Sequence, residues 1–349
     1  MGVRVGLVGG AGAVGATLLR VLEERAFPVE SLRILATRRS AGRIVRFRGA
    51  EVRVEETRPE SFAGLDLCFL AVPGAQASRE LAPLALRAGA AVIDKGSAFR
   101  LDPAVPLVVP EINGGLVEPG RPALLASPNC TTIPLTLCLH PLRRAAGLRR
   151  VIVSTYQSAS GAGRAGIEAL WSESAEAVRG RSPEAAAAPD RGDPAAGAPS
   201  VFPRRLAFNV IPQCDRFSDD GYTLEEWKLI RETRKILGIP DLPISATAAR
   251  VPVFVGHSES VFVETQRPLS AEEARAILGT SPGVRLQDDP AAGVFATPLD
   301  AAGSDLAHVS RVRRDLGFDH GLHLWVVGDN LRKGAATNAV QIAELWLRR

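Results

Sequence analysis

The 349-residue chain has few cysteines, few histidines, almost no lysine and no long apolar run. Its four cysteines, Cys68, Cys130, Cys138 and Cys214, are too sparse for a disulfide framework and show no Cys-x-x-Cys spacing, which excludes a stapled secreted domain and a zinc ribbon. They read as free thiols. The five histidines form no His-Glu-x-x-His, His320 and His323 read as surface or packing residues, and no metal is expected. No apolar stretch approaches the ~20 residues of a membrane span. The N-terminus lacks the basic patch, apolar core and cleavage site of a signal peptide, so the expected location is the cytoplasm, with no membrane attachment. Of 42 basic residues only Lys95, Lys228, Lys235 and Lys333 are lysines. The net charge of +4 is spread along the chain without a basic tail or aromatic-interleaved cluster, so small anions rather than nucleic acid are the expected partners.

What is present is enough apolar residue, 46% of the chain, to build two cores of ordinary size. Residues 3–8 read as a buried strand, 14–24 as a helix, 32–36, 65–72 and 91–94 as further strands, and 81–88 as a helix between the last two. Strand and helix alternate, which predicts a parallel sheet with crossover helices. Beyond Cys130 the pattern changes to β-branched runs at 151–156 and 250–266, with helices near 165–179 and 224–237, as in an α+β domain. Residues 181–200, rich in Ala, Pro, Gly and Asp, read as a surface excursion. The C-terminal segment 335–349 reads as a helix following a Gly-Asp-Asn-Leu-Arg-Lys-Gly loop. The expected division is residues 1–129, completed by the C-terminal helix 330–349, and residues 130–329.

Between the first strand and helix lies Gly9-Gly10-Ala11-Gly12-Ala13-Val14-Gly15, which contains Gly-x-Gly-x-x-Gly at 10, 12 and 15. Glycines there permit a tight turn and close approach of backbone to a pyrophosphate at the helix N-terminus, so a dinucleotide is the expected cofactor. An NAD-specific fold places an acid at the end of the second strand. Here that place reads Thr37-Arg38-Arg39-Ser40, whose guanidiniums and hydroxyls suit a 2′-phosphate and point to NADP.

In Ala126-Ser-Pro-Asn-Cys-Thr-Thr-Ile-Pro134, Cys130 follows a Pro-Asn turn and precedes an apolar helix over 133–139. A helix N-terminus favours the thiolate, the form that attacks carbonyls. Simple burial of a packed cysteine is the competing explanation. The Ser-Pro-Asn-Cys-Thr-Thr block resembles the nucleophile signature of the aspartate-semialdehyde dehydrogenase family, and the resemblance extends along the chain. It is similar at the glycine loop, at 97–100 with 109–113, at 154–163, 208–212, 221–228 and 250–257, and at 328–338.

The resemblance implies a glyceraldehyde-3-phosphate dehydrogenase-like architecture: a Rossmann-type α/β domain binding NADP and an α+β catalytic and dimerisation domain, assembled as a homodimer or homotetramer. It implies reduction of L-4-aspartyl phosphate to L-aspartate 4-semialdehyde with release of phosphate, in lysine, methionine and threonine biosynthesis. Cys130 then matches the nucleophile, His257 the acid/base and Gln157 the residue that orients the intermediate. Arg250 matches the substrate-carboxylate ligand, Glu225 the partner of the amino group, and Lys228 and Arg100 the phosphate site, with Asn129 beside them. Ser160, Gly161 and Asn330 fall in blocks that match the cofactor side. Read alone, His257 is a packed strand residue, Gln157 a strand-end amide, Glu225 and Lys228 an intrahelical salt bridge, and Arg100 a surface charge before Asp102. In one extended strand Arg250 and His257, seven apart, face opposite ways unless a bulge intervenes.

Two departures stand out: Lys95 replaces the asparagine common after the fourth-strand aspartate, and Ala71-Val72-Pro73-Gly74 differs from the commoner small-residue pattern. A sister reductase of N-acetyl-glutamyl phosphate shares this chemistry, but an acetylated amine carries no charge for Glu225. A non-catalytic dinucleotide-binding paralogue would be expected to lose Cys130, Gln157, Arg250 or His257, and all four are present.

Overall fold

A computed structural model describes residues 2–179, 182–186 and 201–348. The expected excursion at 181–200 lies outside the described residues, apart from 182–186, where Pro183–Ala186 forms a single helical turn.

The first sheet contains β1 (Val3–Val8), β2 (Val29–Ala36), β3 (Ile44–Phe47), β4 (Ala50–Glu56), β5 (Leu67–Leu70), β6 (Ala91–Asp94) and β7 (Leu124–Ala126). Their order is β3-β4-β2-β1-β5-β6-β7, and β1 pairs in parallel with β2 on one side and β5 on the other. The order in which strands are added therefore reverses at β1, which marks the crevice where open α/β sheets bind ligands. Leu67–Leu70 and Ala91–Asp94 are buried at every position, as strands covered on both faces require. The β3–β4 hairpin replaces a crossover helix; Val45, Phe47, Val52 and Val54 alternate with Arg46, Glu51, Arg53 and Glu55, a period-two pattern that was not among the expected strands.

The C-terminal helix Thr337–Leu347 returns to this sheet, where Val340, Ile342 and Trp346 pack with Leu7, Leu18 and Ile93. Each such side chain contributes about 1.5–3 kcal/mol on burial, enough to fix the preceding turn Arg332–Ala336 against the N-terminal body.

The second sheet contains β8 (Arg150–Gln157), β9 (Ile244–Arg250), β10 (His257–Glu264), β11 (Val284–Leu286), β12 (Ala307–Arg314) and β13 (Gly321–Gly328), in the order β11-β12-β13-β10-β8-β9. One face packs on helices Thr132–Ala146, Leu224–Leu237 and Ala271–Gly279. In β8 Val151, Val153, Thr155 and Gln157 point into that layer, while Ile152 is 50% exposed on the other face.

The β-branched run expected at 250–266 holds the last residue of β9 and all of β10, with a loop between them. Pro252 cannot donate to a ladder and Gly256 adopts φ +95°, so the chain leaves β9 and re-enters on the far side of β8 as β10. Gln157 pairs in parallel with Arg250, and Tyr156 pairs antiparallel with Ser258.

Candidate active site

The nucleophile loop is set by Asn129. Its Oδ1 accepts from the Thr131 N–H at 2.9 Å and the Thr131 hydroxyl at 2.7 Å, starting the helix Thr132–Ala146 directly after Cys130. Cys130 is half-buried, whereas Cys68, Cys138 and Cys214 are buried. It lines two cavities at once, one of about 490 Å³ beside the glycine loop and one of about 340 Å³ beside Gln157 and Arg250.

The helix terminus alone does not give Cys130 a ready thiolate. Burial pushes the Cys130 thiol up to about 11 and Glu225 adds to the rise, against the pull of Lys95, Arg100 and Arg250.

Around the smaller cavity, Glu225 accepts from Asn129 Nδ2 at 2.9 Å and Gln157 Nε2 at 3.4 Å, and pairs with Lys228 at 3.1 Å. Lys228 also meets Asp215 at 2.7 Å; burial lowers its affinity for a proton, but Glu225 and Asp215 outweigh burial and hold it above its usual value. Arg100 is no surface charge: it is 7% exposed, bonded through Nη1 to Glu232 at 2.9 Å and through Nη2 to the Lys95 carbonyl at 2.7 Å, with Nε buried and unpartnered. Glu232 also accepts from the Asn129 N–H at 2.6 Å.

His257 lines neither cavity and lies just behind Gly161. The backbone N–H of Ser158 donates to its Nδ1 at 3.0 Å, which leaves the ring proton on Nε2, and Nε2 is buried without a partner. Burial, then Arg250, holds the imidazole well below its usual range, so it is neutral. Arg250 donates to the Ser158 carbonyl at 2.7 Å. Asn330 Oδ1 accepts from the hydroxyls of Ser158 and Ser160 and the N–H of Gly256, leaving Nδ2 without a partner among the described residues while Asn330 lines the larger cavity.

The larger cavity fits a dinucleotide at its glycine end. A Cβ on Gly9 would meet the Ala71 carbonyl at 2.3 Å, and one on Gly15 would meet the Gly9 carbonyl at 2.4 Å, whereas one on Gly12 would make only ordinary contact with the Gly9 carbonyl at 3.4 Å. Gly12, Ala13 and Val14 line the cavity, and the helix Ala13–Glu24 begins without a side-chain cap or an acid in its first turn, so its N–H groups are available to an anion. Thr37, Arg38, Arg39 and Ser40 form a turn at the end of β2 that does not line this cavity; Arg38 and Arg39 are exposed.

Residues 4–118 match a semialdehyde dehydrogenase NAD-binding domain, and residues 139–333 match a semialdehyde dehydrogenase dimerisation domain. The chain is 45% identical to aspartate-semialdehyde dehydrogenase of Bacillus subtilis, covering 98% of this chain and 97% of that one. It is also 45% identical to that of Aquifex aeolicus, over 100% and 99%. The chain belongs to the aspartate-semialdehyde dehydrogenase family. The structure of aspartate semialdehyde dehydrogenase II from Vibrio cholerae superposes with a TM-score of 0.90 at 42% identity, covering 100% and 99% of the two chains, and a second structure of that protein is a complex with ASA.

As a member of this family the chain is an oxidoreductase with a dinucleotide-binding domain and a domain of the dimerising type. Among the described residues no helix is long and apolar enough to cross a membrane, and no group of three or more His, Cys, Asp or Glu is placed to hold a metal. Sequence inspection missed Glu232, Asp215 and Ser158. Glu232 stands two helical turns from Glu225 on the same face, so periodicity could have found it. Asp215 and Ser158 reach the site only through the tertiary fold.

Proposed function

We propose that the chain reduces L-4-aspartyl phosphate to L-aspartate 4-semialdehyde with release of phosphate, using NADPH, as a cytoplasmic homodimer or homotetramer. The observation that carries this proposal is the place of Cys130: it is the least buried of the thiols and the meeting point of a dinucleotide-shaped cavity and a charged one. Four basic side chains, Lys95, Arg100, Lys228 and Arg250, and two carboxylates, Asp215 and Glu225, line the smaller cavity. That balance suits a substrate with one ammonium, one carboxylate and one phosphate.

NADPH held by residues 9–15, Ser160, Gly161 and Asn330, with its 2′-phosphate at Thr37–Ser40, would supply the hydride. Cys130 Sγ attacks the acyl carbon, the C–O bond to phosphate breaks and the departing phosphate takes up the thiol proton, giving a thioester. The Arg250 fork binds the α-carboxylate and Glu225 the ammonium, while Arg100 and Lys228 take the phosphate. Asn129 holds Glu225 in place, and Gln157 orients the thioester. With the anionic substrate bound, His257 would take up a proton, and the imidazolium then gives its Nε2 proton to the oxygen of the Cys130 thiohemiacetal. His257 recovers a proton as the C–S bond breaks to release the aldehyde.

The test is an assay of NADP reduction with aspartate semialdehyde and phosphate, run beside N-acetyl-glutamate semialdehyde. Turnover of the first substrate alone is expected, and loss of nearly all of it in Cys130→Ser. Preference for the acetylated substrate, or substantial activity in Cys130→Ser, overturns the proposal.

A further inference from the structure

Lys95 follows the buried Asp94 at the end of β6, and its side chain runs under the nucleophile loop. Nζ donates to Ser127 Oγ at 3.1 Å, to the Pro128 carbonyl at 3.2 Å and to the Gly334 carbonyl at 3.4 Å. Ser127 and Pro128 lead directly into Asn129 and Cys130. Gly334 presses on Cys130 from the other side: a Cβ there would lie 3.0 Å from Cys130 Cβ and 3.1 Å from its carbonyl oxygen. One ammonium thus joins the two segments that grip the nucleophile.

All three acceptors are neutral, and three of them match the three N–H groups of an ammonium. Among the described residues no carboxylate lies within ion-pair distance of Lys95. Of the cations that line the smaller cavity, Arg100 and Lys228 are held by carboxylates, while Lys95 and Arg250 are not. Of those two, only Lys95 also lines the larger cavity.

We propose that Lys95 is a positioning residue for the nucleophile, clamping the Cys130 loop to the Arg332–Ala336 turn and supplying the uncompensated positive charge that stabilises the Cys130 thiolate. The inference rests on Cys130 being the nucleophile. Burial, with Arg100 adding, pushes Lys95 down to about 7, while Cys130, Glu232 and Asp94 pull it up. Lys95 in turn pulls Cys130 down, so each charge favours the other: a thiolate at Cys130 favours the ammonium, and the ammonium favours the thiolate.

The test measures Cys130 alkylation by iodoacetamide, by peptide mass spectrometry across roughly pH 6 to 11, a range that starts well below the ordinary thiol value and reaches the raised value of about 11 that burial gives Cys130. It compares the full-length protein with Lys95→Met, Lys95→Gln and Lys95→Arg. Loss of the charge in the Met or Gln variant should raise the apparent midpoint by about one unit or more and slow alkylation near neutrality by ~10-fold. The difference between variants should narrow toward high pH, where Cys130 ionises in all of them. Lys95→Gln keeps a hydrogen-bond donor, so it covers the case in which Lys95→Met does not fold, and Lys95→Arg should restore the midpoint. An unshifted midpoint in Lys95→Gln, or a fall that is equal at every pH, overturns the inference while leaving the role of Cys130 intact. Full turnover in Cys130→Ser, by contrast, removes the underlying proposal.

Discussion

Arg250 and His257 flank the end of β8 from opposite sides, and both close on the Cα of Gly161. A Cβ at that position would lie 2.5 Å from Arg250 Nη1 and 3.3 Å from His257 Nε2. The backbone of Gly161 is not in the left-handed region, so alanine fits the main chain, but it displaces a guanidinium fixed on the Ser158 carbonyl. Gly161→Ala should leave the melting temperature nearly unchanged and lower kcat/KM by ~10- to 100-fold, the scale of an ångström-sized misplacement. Wild-type kinetics in that variant would remove Gly161 from the proposed substrate geometry.

His257 is held neutral by burial and Arg250, well below its usual value of 6.5. Its folded pKa lies under its unfolded one, so between the two the unfolded chain binds more protons. This contribution to stability is therefore present above about pH 6.5 and lost as pH falls below it. His257→Asn should flatten the acid side of the stability profile in urea titrations. It should also lower the maximal rate by ~10²–10⁴-fold, as for a lost proton donor, with cofactor binding little altered. An unaltered pH–rate profile assigns the proton to another group.

Local requirements were legible in the sequence and nonlocal ones were not. Gly9 and Gly15 are demanded by backbone atoms of their own turn and by Ala71, and the Asn129 turn starts a helix within two residues of Cys130, so both sites could be read from a short window. The approach of His257 to Arg250 depends on the chain crossing the end of β8, which no single-strand period encodes. The resting protonation of Cys130 likewise depends on burial and on Glu225 from a helix ~95 positions later, which outweigh the helix terminus that the sequence displays. The β3–β4 hairpin was locally legible as well, in the alternation of Val52 and Val54 with Glu51, Arg53 and Glu55, and went unread.

Arg38 and Arg39 are exposed at the end of β2 and make no ion pair among the described residues, where an NAD-specific fold carries an acid. Arg39→Asp removes a guanidinium and sets a carboxylate near the proposed site of the 2′-phosphate. Fluorescence titration should then show NADP weakened far more than NAD. Equal affinity for both cofactors in the unmodified protein would sink this assignment.

The phosphate site distinguishes an acyl-phosphate reductase from an enzyme that hydrolyses its thioester with water. Aldehyde oxidation should need added phosphate for sustained turnover. Without phosphate, a single burst of NADPH about equal to the enzyme concentration should appear as thioester accumulates on Cys130. Lys228 is the cleaner probe, because Asp215 is partly open to solvent and Glu225 keeps the hydrogen bond from Asn129 Nδ2. Lys228→Ala should raise the phosphate requirement more than the aldehyde requirement. Arg100→Ala would have a second effect, since it strands Glu232, whose side chain is 1% exposed. Removing one partner of such a buried pair costs about 3–5 kcal/mol of stability, so its kinetics must be read beside a denaturation curve. Arg100→Lys keeps the charge but loses the fork, and should weaken phosphate with a smaller loss of stability. Sustained, phosphate-independent release of aspartate by the unmodified protein would reject acyl-phosphate chemistry and leave only the thiol mechanism standing.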